Sequence, residues 1–224
     1  APVGDWSFQA THIPEIGYRC FWLVPADGQT PMAQSISPQP ESLTPEYFML
    51  ENAFLQVTID PTTGDIAQIV DKIRQRSLLS APGNQLQAFE DQGQYWDAWN
   101  IDPNYAQHPL PPATLQSIQW LEKGAVRSRL QVVRHLGQSI FWQEYVLDAD
   151  SAMLKIHTQV EWHERHVLVK AAFPLNLEAD SATYEIPCGA IARTTRPQTP
   201  AQKAQWEVPA LHWADLSDDT YGVS

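Results

Sequence analysis

The stretch Leu154-Lys155-Ile156-His157-Thr158-Gln159-Val160-Glu161-Trp162 repeats with a period of two rather than 3.6. Successive side chains of an extended strand point to opposite faces. Leu154, Ile156, Val160 and Trp162 therefore share one side, and Lys155, His157, Gln159 and Glu161 the other. A helix would scatter both sets around its circumference, so the segment predicts a strand with one buried face. The same pattern precedes it: Val126–Val132 alternates, and Gln138–Leu147 is rich in β-branched and aromatic residues. Short joints of turn chemistry, Leu136-Gly137-Gln138 and Asp148-Ala149-Asp150-Ser151, make these three strands an antiparallel meander. Upstream, Phe54–Ile59 and Ile66–Asp71 flank a hairpin turn initiated by Asp60-Pro61 and closed by Gly64. Further strands are expected at Tyr18–Val24, Gln85–Phe89, Thr114–Leu121, Val167–Phe173 and Thr183–Ile186. Roughly ten or more short strands, with turns every 8–12 residues and less than about a tenth of the chain in helix, specify an all-β fold: a large antiparallel β-sandwich.

A chain of 224 residues can bury roughly 70% of its unfolded surface, so this sandwich needs no covalent staples. Between Pro25 and Pro45 five prolines stand among Ser, Gln and Thr, a composition that buries little. The domain boundary is placed there: residues 1–45 form an N-terminal β segment with a Pro-rich linker, and residues 46–224 form the sandwich. The net charge of −12 repels polyanions and anionic membrane surfaces, which argues against nucleic acid and membrane as partners. No apolar run approaches the ~20 residues of a membrane helix, and the first residues show neither a basic nor an apolar leader region. Cys20 and Cys188 permit one intrachain disulfide at most and call for no oxidising compartment, so a cytoplasmic location is expected.

Nine tryptophans are the most unusual part of the composition. Indoles suit both sandwich cores and sugar-binding platforms, and a core position is the expectation for most of them. The exception is the irregular stretch Gln92–Pro112, where Tyr95, Trp96 and Trp99 stand beside Glu90, Asp91, Asp97 and Asp102. Carboxylates accept sugar hydroxyls, and aromatic faces stack on the C–H face of a pyranose. Tyr95, Trp96, Asp97, Trp99 and Asp102 are therefore the candidate substrate-binding residues. The competing account is an Ω-like loop pinned by its tryptophans, with the aspartates capping turns. Acid/base glycoside hydrolysis would need two carboxylates ~5 to 9.5 Å apart, a separation that spacing in the chain does not supply. The run Trp162-His163-Glu164-Arg165-His166 lacks the paired histidines of a helical zinc motif, and is expected to be a strand end where Glu164 and Arg165 pair. The sequence holds no phosphate-cradling glycine loop, CxxC pair or GxSxG elbow, so nucleotide and thiol chemistry drop out. No catalytic and no metal-ligating residue is assigned.

Several separated segments together resemble one family. They are Leu50–Gly64, Gly83–Asp91, Tyr95–Asp102, Glu161–His166, Tyr184–Arg193 and Trp213–Ser217. In this order and spacing they are similar to the C-terminal β-region of family 38 α-mannosidases, in the cytosolic and bacterial branch. Asn100 departs from the acid usual in the family's WDAWDID, and Cys188 from the apolar or aromatic residue of its EIPxG. The resemblance implies a galactose-mutarotase-like sandwich, incomplete at its C-terminus, from a larger enzyme. That enzyme would be a retaining exo-α-mannosidase. Its aspartate nucleophile, carboxylic acid/base and zinc would lie on an N-terminal barrel and helical domains outside these residues. The chain itself would hold no cofactor and be inactive alone, packing against the barrel and lending a loop to the pocket that takes α-mannoside glycans. Two other readings stand beside it. One is a free-standing carbohydrate-binding sandwich using Tyr95–Asp102. The other is a mutarotase-like epimerase with His157 or His163 and Glu161 or Glu164 as acid and base.

Overall fold

The alternating segments pair as expected in a computed structural model, which describes residues 8–13, 15–22, 48–93, 96 and 99–224. The first sheet is β1 (Phe48–Glu51), β2 (Leu55–Ile59), β3 (Ile66–Asp71) and β4 (Arg76–Ser77), in that order. The second is the meander β6 (Thr114–Lys123), β7 (Arg127–Leu136), β8 (Ser139–Asp148) and β9 (Leu154–Glu161). Strand β5 (Gln85–Glu90) pairs with β10 (Val167–Ala172). The last sheet runs β12 (Gly189–Thr194), β11 (Ser181–Ile186), β13 (Ala214–Ser217) and β14 (Gly222–Val223). Every pairing among these strands is antiparallel. The helical content of the described residues is one short helix, α1 (Pro200–Lys203), and one 3-10 turn at Tyr105–Gln107.

The core lies between the first sheet and the meander. Leu50, Val57, Ile59 and Ile66 from one side meet Leu130, Val132, Tyr145 and Leu147 from the other, all buried. A second cluster joins Leu86 and Ala88 of β5 to Leu136 and Phe141 of the meander. Reciprocal backbone bonds between Ile66 and Gly83 carry the first layer on toward β5. Two glycines do what other residues could not. Gly64 closes the β2–β3 turn at φ +76°, and a Cβ there would stand 2.6 Å from Val132 Cγ1. Gly137, at φ +59°, opens the two-residue β7–β8 loop, where a Cβ would meet the Glu164 carboxylate at 2.5 Å.

A polar seam crosses this interior. The Arg134 side chain, 1% exposed, donates through Nη1 to Asp65 Oδ1 at 2.5 Å. Its Nη2 donates to the Asn84 carbonyl at 3.1 Å and to Gln143 Oε1. Asn84 Nδ2 donates to the Tyr145 hydroxyl at 2.6 Å, and that hydroxyl donates to the Gly64 carbonyl at 3.3 Å. Burial pushes the Asp65 carboxyl above the usual carboxylate range despite the guanidinium beside it. Among the described residues Arg134 Nε has no partner.

Four expectations need correction. Tyr18–Trp22 is not a strand, because among the described residues no neighbouring strand offers its backbone groups partners. The remaining two residues of Tyr18–Val24, the whole Pro25–Pro45 stretch and the boundary after residue 45 lie outside the described residues. None of the eight described tryptophans is buried; aliphatic side chains and Tyr145 fill the core, while Trp120 and Trp142 are half-buried and the rest exposed. Strand β9 is covered only over Leu154 and Ile156; Val160 and Trp162 are exposed, with Trp162 edge-on to Phe141. Glu164 forms no ion pair with Arg165 among the described residues; it accepts from the Gln138 N–H at 2.6 Å and Ser139 Oγ at 3.2 Å, locking the β7–β8 hairpin.

Candidate functional site

The long connection from β5 to β6 is tied at its foot and open at its tip. At the foot, Asp91 Oδ1 accepts from the Asp102 N–H at 2.8 Å, joining residues eleven apart in the chain. The Asp91 N–H donates to the His166 carbonyl, and the Glu90 N–H to the His108 carbonyl. Asp102 Oδ1 accepts from the Asn104 N–H at 2.8 Å, the side-chain turn that starts the Tyr105–Gln107 helix. Tyr105 then sits edge-on to Phe89, with ring centroids 5.1 Å apart.

A three-way polar contact fixes that tyrosine. Its hydroxyl donates to Glu207 Oε1 at 2.5 Å, and Lys170 Nζ reaches the same hydroxyl at 2.7 Å and Glu207 Oε1 at 2.6 Å. Burial alone would raise the Glu207 carboxyl, but hydrogen bonds from Lys170 and Tyr105 hold it below the usual range. Burial would likewise lower Lys170, and its bonds to Glu207 and Tyr105 hold it above. Nothing in the sequence announces this clamp, since Tyr105 and Glu207 are 102 residues apart.

At the tip, Trp96 is 75% and Trp99 88% exposed. The Trp96 carbonyl accepts from the backbone N–H groups of Trp99 and Asn100, which brings the two indole-bearing residues into one fold of the chain. Trp96 adopts φ +57°, a conformation unfavourable for a bulky residue. Tyr95 and Asp97 lie outside the described residues. Of the candidate residues, then, Trp96 and Trp99 stand together, and Asp102 is half-buried at the foot with one carboxylate oxygen used for turn capping. The arrangement offers two flat apolar faces to solvent on a braced loop, which suits stacking on a ring with a C–H face.

The other candidate residues serve locally. His163 contacts Glu161 at 2.9 Å on an exposed surface, and Glu164 is committed to the hairpin, so these groups do not share an enclosed pocket. His157 stands opposite Glu144 across β8 and β9, where Arg129 hydrogen-bonds Glu144 and holds its carboxyl below the usual range. An open hollow of about 520 Å³ over Thr58, Gln68, Ser77 and Ser80 contains no titratable lining residue. Among the described residues no three His, Cys, Asp or Glu side chains come together as metal ligands.

Residues 50–224 match the family Glycosyl hydrolases family 38 C-terminal domain. Alpha-mannosidase 2C1 of Mus musculus is 31% identical over 231 residues, covering 100% of this chain and 22% of the relative. Alpha-mannosidase of Saccharomyces cerevisiae is 31% identical over 196 residues, covering 80% of this chain and 18% of the relative. An α-mannosidase structure from Enterococcus faecalis superposes with a TM-score of 0.60 at 15% identity, over 80% of this chain and 23% of that one. The chain thus spans about a fifth of the length of the curated relatives it matches.

Proposed function

This chain belongs to the glycosyl hydrolase family 38 C-terminal domain family, and we propose that it serves as the β-sandwich region of a longer, retaining, zinc-dependent exo-α-mannosidase. Relatives matched along most or all of the chain are named α-mannosidases, which supports the substrate class. The nucleophile, the acid/base and the zinc belong to a barrel that precedes this region. The residues described here do not fit a zinc ion, and no step on this chain runs through one. The part played by these residues is to pack against that barrel and to line or rim the pocket for terminal α-linked mannose. A cytoplasmic setting agrees with two exposed free cysteines, which persist best where thiols stay reduced.

The observation that carries the reading is the contrast within one loop: a foot fastened by Asp91, Asp102 and Tyr105, and a tip that presents Trp96 and Trp99 to solvent. Two largely exposed indoles within four residues leave apolar surface that a ligand or an interface would cover. Trp96 and Trp99 supply the stacking surface, and Asp97 accepts sugar hydroxyls or barrel donors. In the longer enzyme Asp97→Asn lowers kcat/KM for α-mannosides at least tenfold, about 1.4 kcal/mol, with the melting temperature nearly unchanged. Full activity in the variant, or activity and folding lost together, would make the loop a structural clasp.

A further inference from the structure

We propose that Tyr105, held between Lys170 and Glu207, is a positioning residue for substrate binding: it fixes the returning leg of the β5–β6 loop and, through that leg, sets where Trp96 and Trp99 stand. This role rests on the mannoside reading above, in which the tip meets the sugar. The path from clamp to tip is continuous. The Tyr105 N–H donates to the Asp102 carbonyl at 3.1 Å, and the Asn104 N–H to Asp102 Oδ1 at 2.8 Å. The Asp102 N–H reaches across to Asp91 Oδ1, and the N–H groups of Asn100 and Trp99 donate to the Trp96 carbonyl. Both legs of the loop also bear on one strand. The Asp91 N–H bonds the carbonyl of His166, the residue before β10, and the Tyr105 hydroxyl bonds Lys170 within β10.

The clamp is built for place rather than for bulk stability. A phenol hydroxyl turns freely about its C–O bond, but here it donates to Glu207 Oε1 and accepts from Lys170 Nζ, which also bonds that same oxygen. The ring packs edge-on against Phe89, the residue before the outgoing leg at Glu90–Asp91. Ring and hydroxyl therefore fix the tyrosine at both ends. Lys170 and Glu207 are each about a third exposed, and Tyr105 belongs to neither buried cluster. Contacts of this kind add little to global stability. A loop nevertheless opens locally, with a free energy of its own that the few bonds at its foot determine. A binding surface displaced by about an ångström holds its ligand less well. On the proposed reading the breaking bond is handled by the barrel, so a displaced tip weakens binding and the loss appears in KM.

Tyr105→Phe is the test, because it keeps the ring on Phe89 and removes only the hydroxyl. In the 224-residue chain, amide hydrogen exchange should quicken about fivefold at Trp99, Asn100 and Asp102, as for one lost hydrogen bond. Core amides such as those of Leu130 and Val132 should keep their rates. In the longer enzyme the variant should raise KM for α-mannosides about fivefold at unchanged kcat. It should add nothing to a Trp96→Ala/Trp99→Ala variant, since it acts only through those indoles. Unchanged exchange at the three loop amides would overturn the positioning role, whatever the substrate of the longer enzyme. An equal rise in KM with and without the indoles, or a melting temperature that falls along with activity, would overturn it too. If Tyr105→Phe leaves KM unchanged while the indole variant loses kcat/KM, the clamp is overturned and the loop reading stands. A fully active indole variant would overturn the loop reading and, with it, the role of Tyr105 in binding.

Discussion

The sandwich interior and the β5–β6 loop handle polar and aromatic groups in opposite ways. Inside, Arg134, Asp65, Asn84, Gln143 and Tyr145 bond mainly to one another, and aliphatic side chains close around them. In the loop, hydrogen bonds gather at the foot while the indoles of Trp96 and Trp99 face solvent. The interior groups find their partners within the fold, whereas the tip indoles find none among the described residues. On the proposed reading stability is concentrated in the first region and recognition in the second, and substitutions should separate the two.

The largest effect belongs to the interior. Arg134→Ala leaves the Asp65 carboxylate and Gln143 without their buried partner and should cost about 3–5 kcal/mol in chemical denaturation. A loss below about 1 kcal/mol would mean the seam is solvated and the contrast with the loop false. Next comes Gly64→Ala, which puts a Cβ against Val132 at a positive φ and should cost about 1–3 kcal/mol by thermal melting.

The clamp at the loop's foot should matter less. Glu207→Gln removes a contact whose partners are each about a third exposed, so about 0.5 kcal/mol is expected. Its pH dependence has a defined sign. Glu207 is held below its ordinary 4.5, so its contribution is present above that pH and fades as acid titrates the folded carboxylate. Lys170 is held above its ordinary 10.5, so its share is present below that pH and fades as alkali deprotonates it. The wild-type minus Glu207→Gln difference in stability should therefore be flat between these limits and shrink outside them.

The parts legible from sequence were those whose periodicity and turn residues agree. Strands β2, β3 and β7–β9 fell where alternation put them, because Gly64 and Gly137 mark turns that only such residues close easily. Strands β1, β4, β13 and β14 went unseen, being two to four residues long and too short to show a period. Strand β12 is written in small residues, Ala190 and Ala192 among them, which carry little hydrophobic signal. The loop was recognisable from its clustered aromatics and acids. Its bracing was not, because Tyr105, Lys170 and Glu207 meet only through tertiary structure. The polar seam is equally hidden: Asp65 stands in the turn between Ile59 and Ile66, and Arg134 lies past Val132, the end of the alternating stretch. The tryptophans misled by composition, since an indole is as useful on a surface that meets sugar or protein as in a core.

The central claim is that the loop tip recognises and does not stabilise, and the paired variant Trp96→Ala/Trp99→Ala tests it most directly. Both side chains are largely exposed, so the melting temperature of the variant should stay within the change expected for about 0.5 kcal/mol. In the longer enzyme the same variant should lose at least tenfold in kcat/KM on α-mannosides. Unchanged kcat/KM, or a melting temperature that falls along with the activity, would contradict the account.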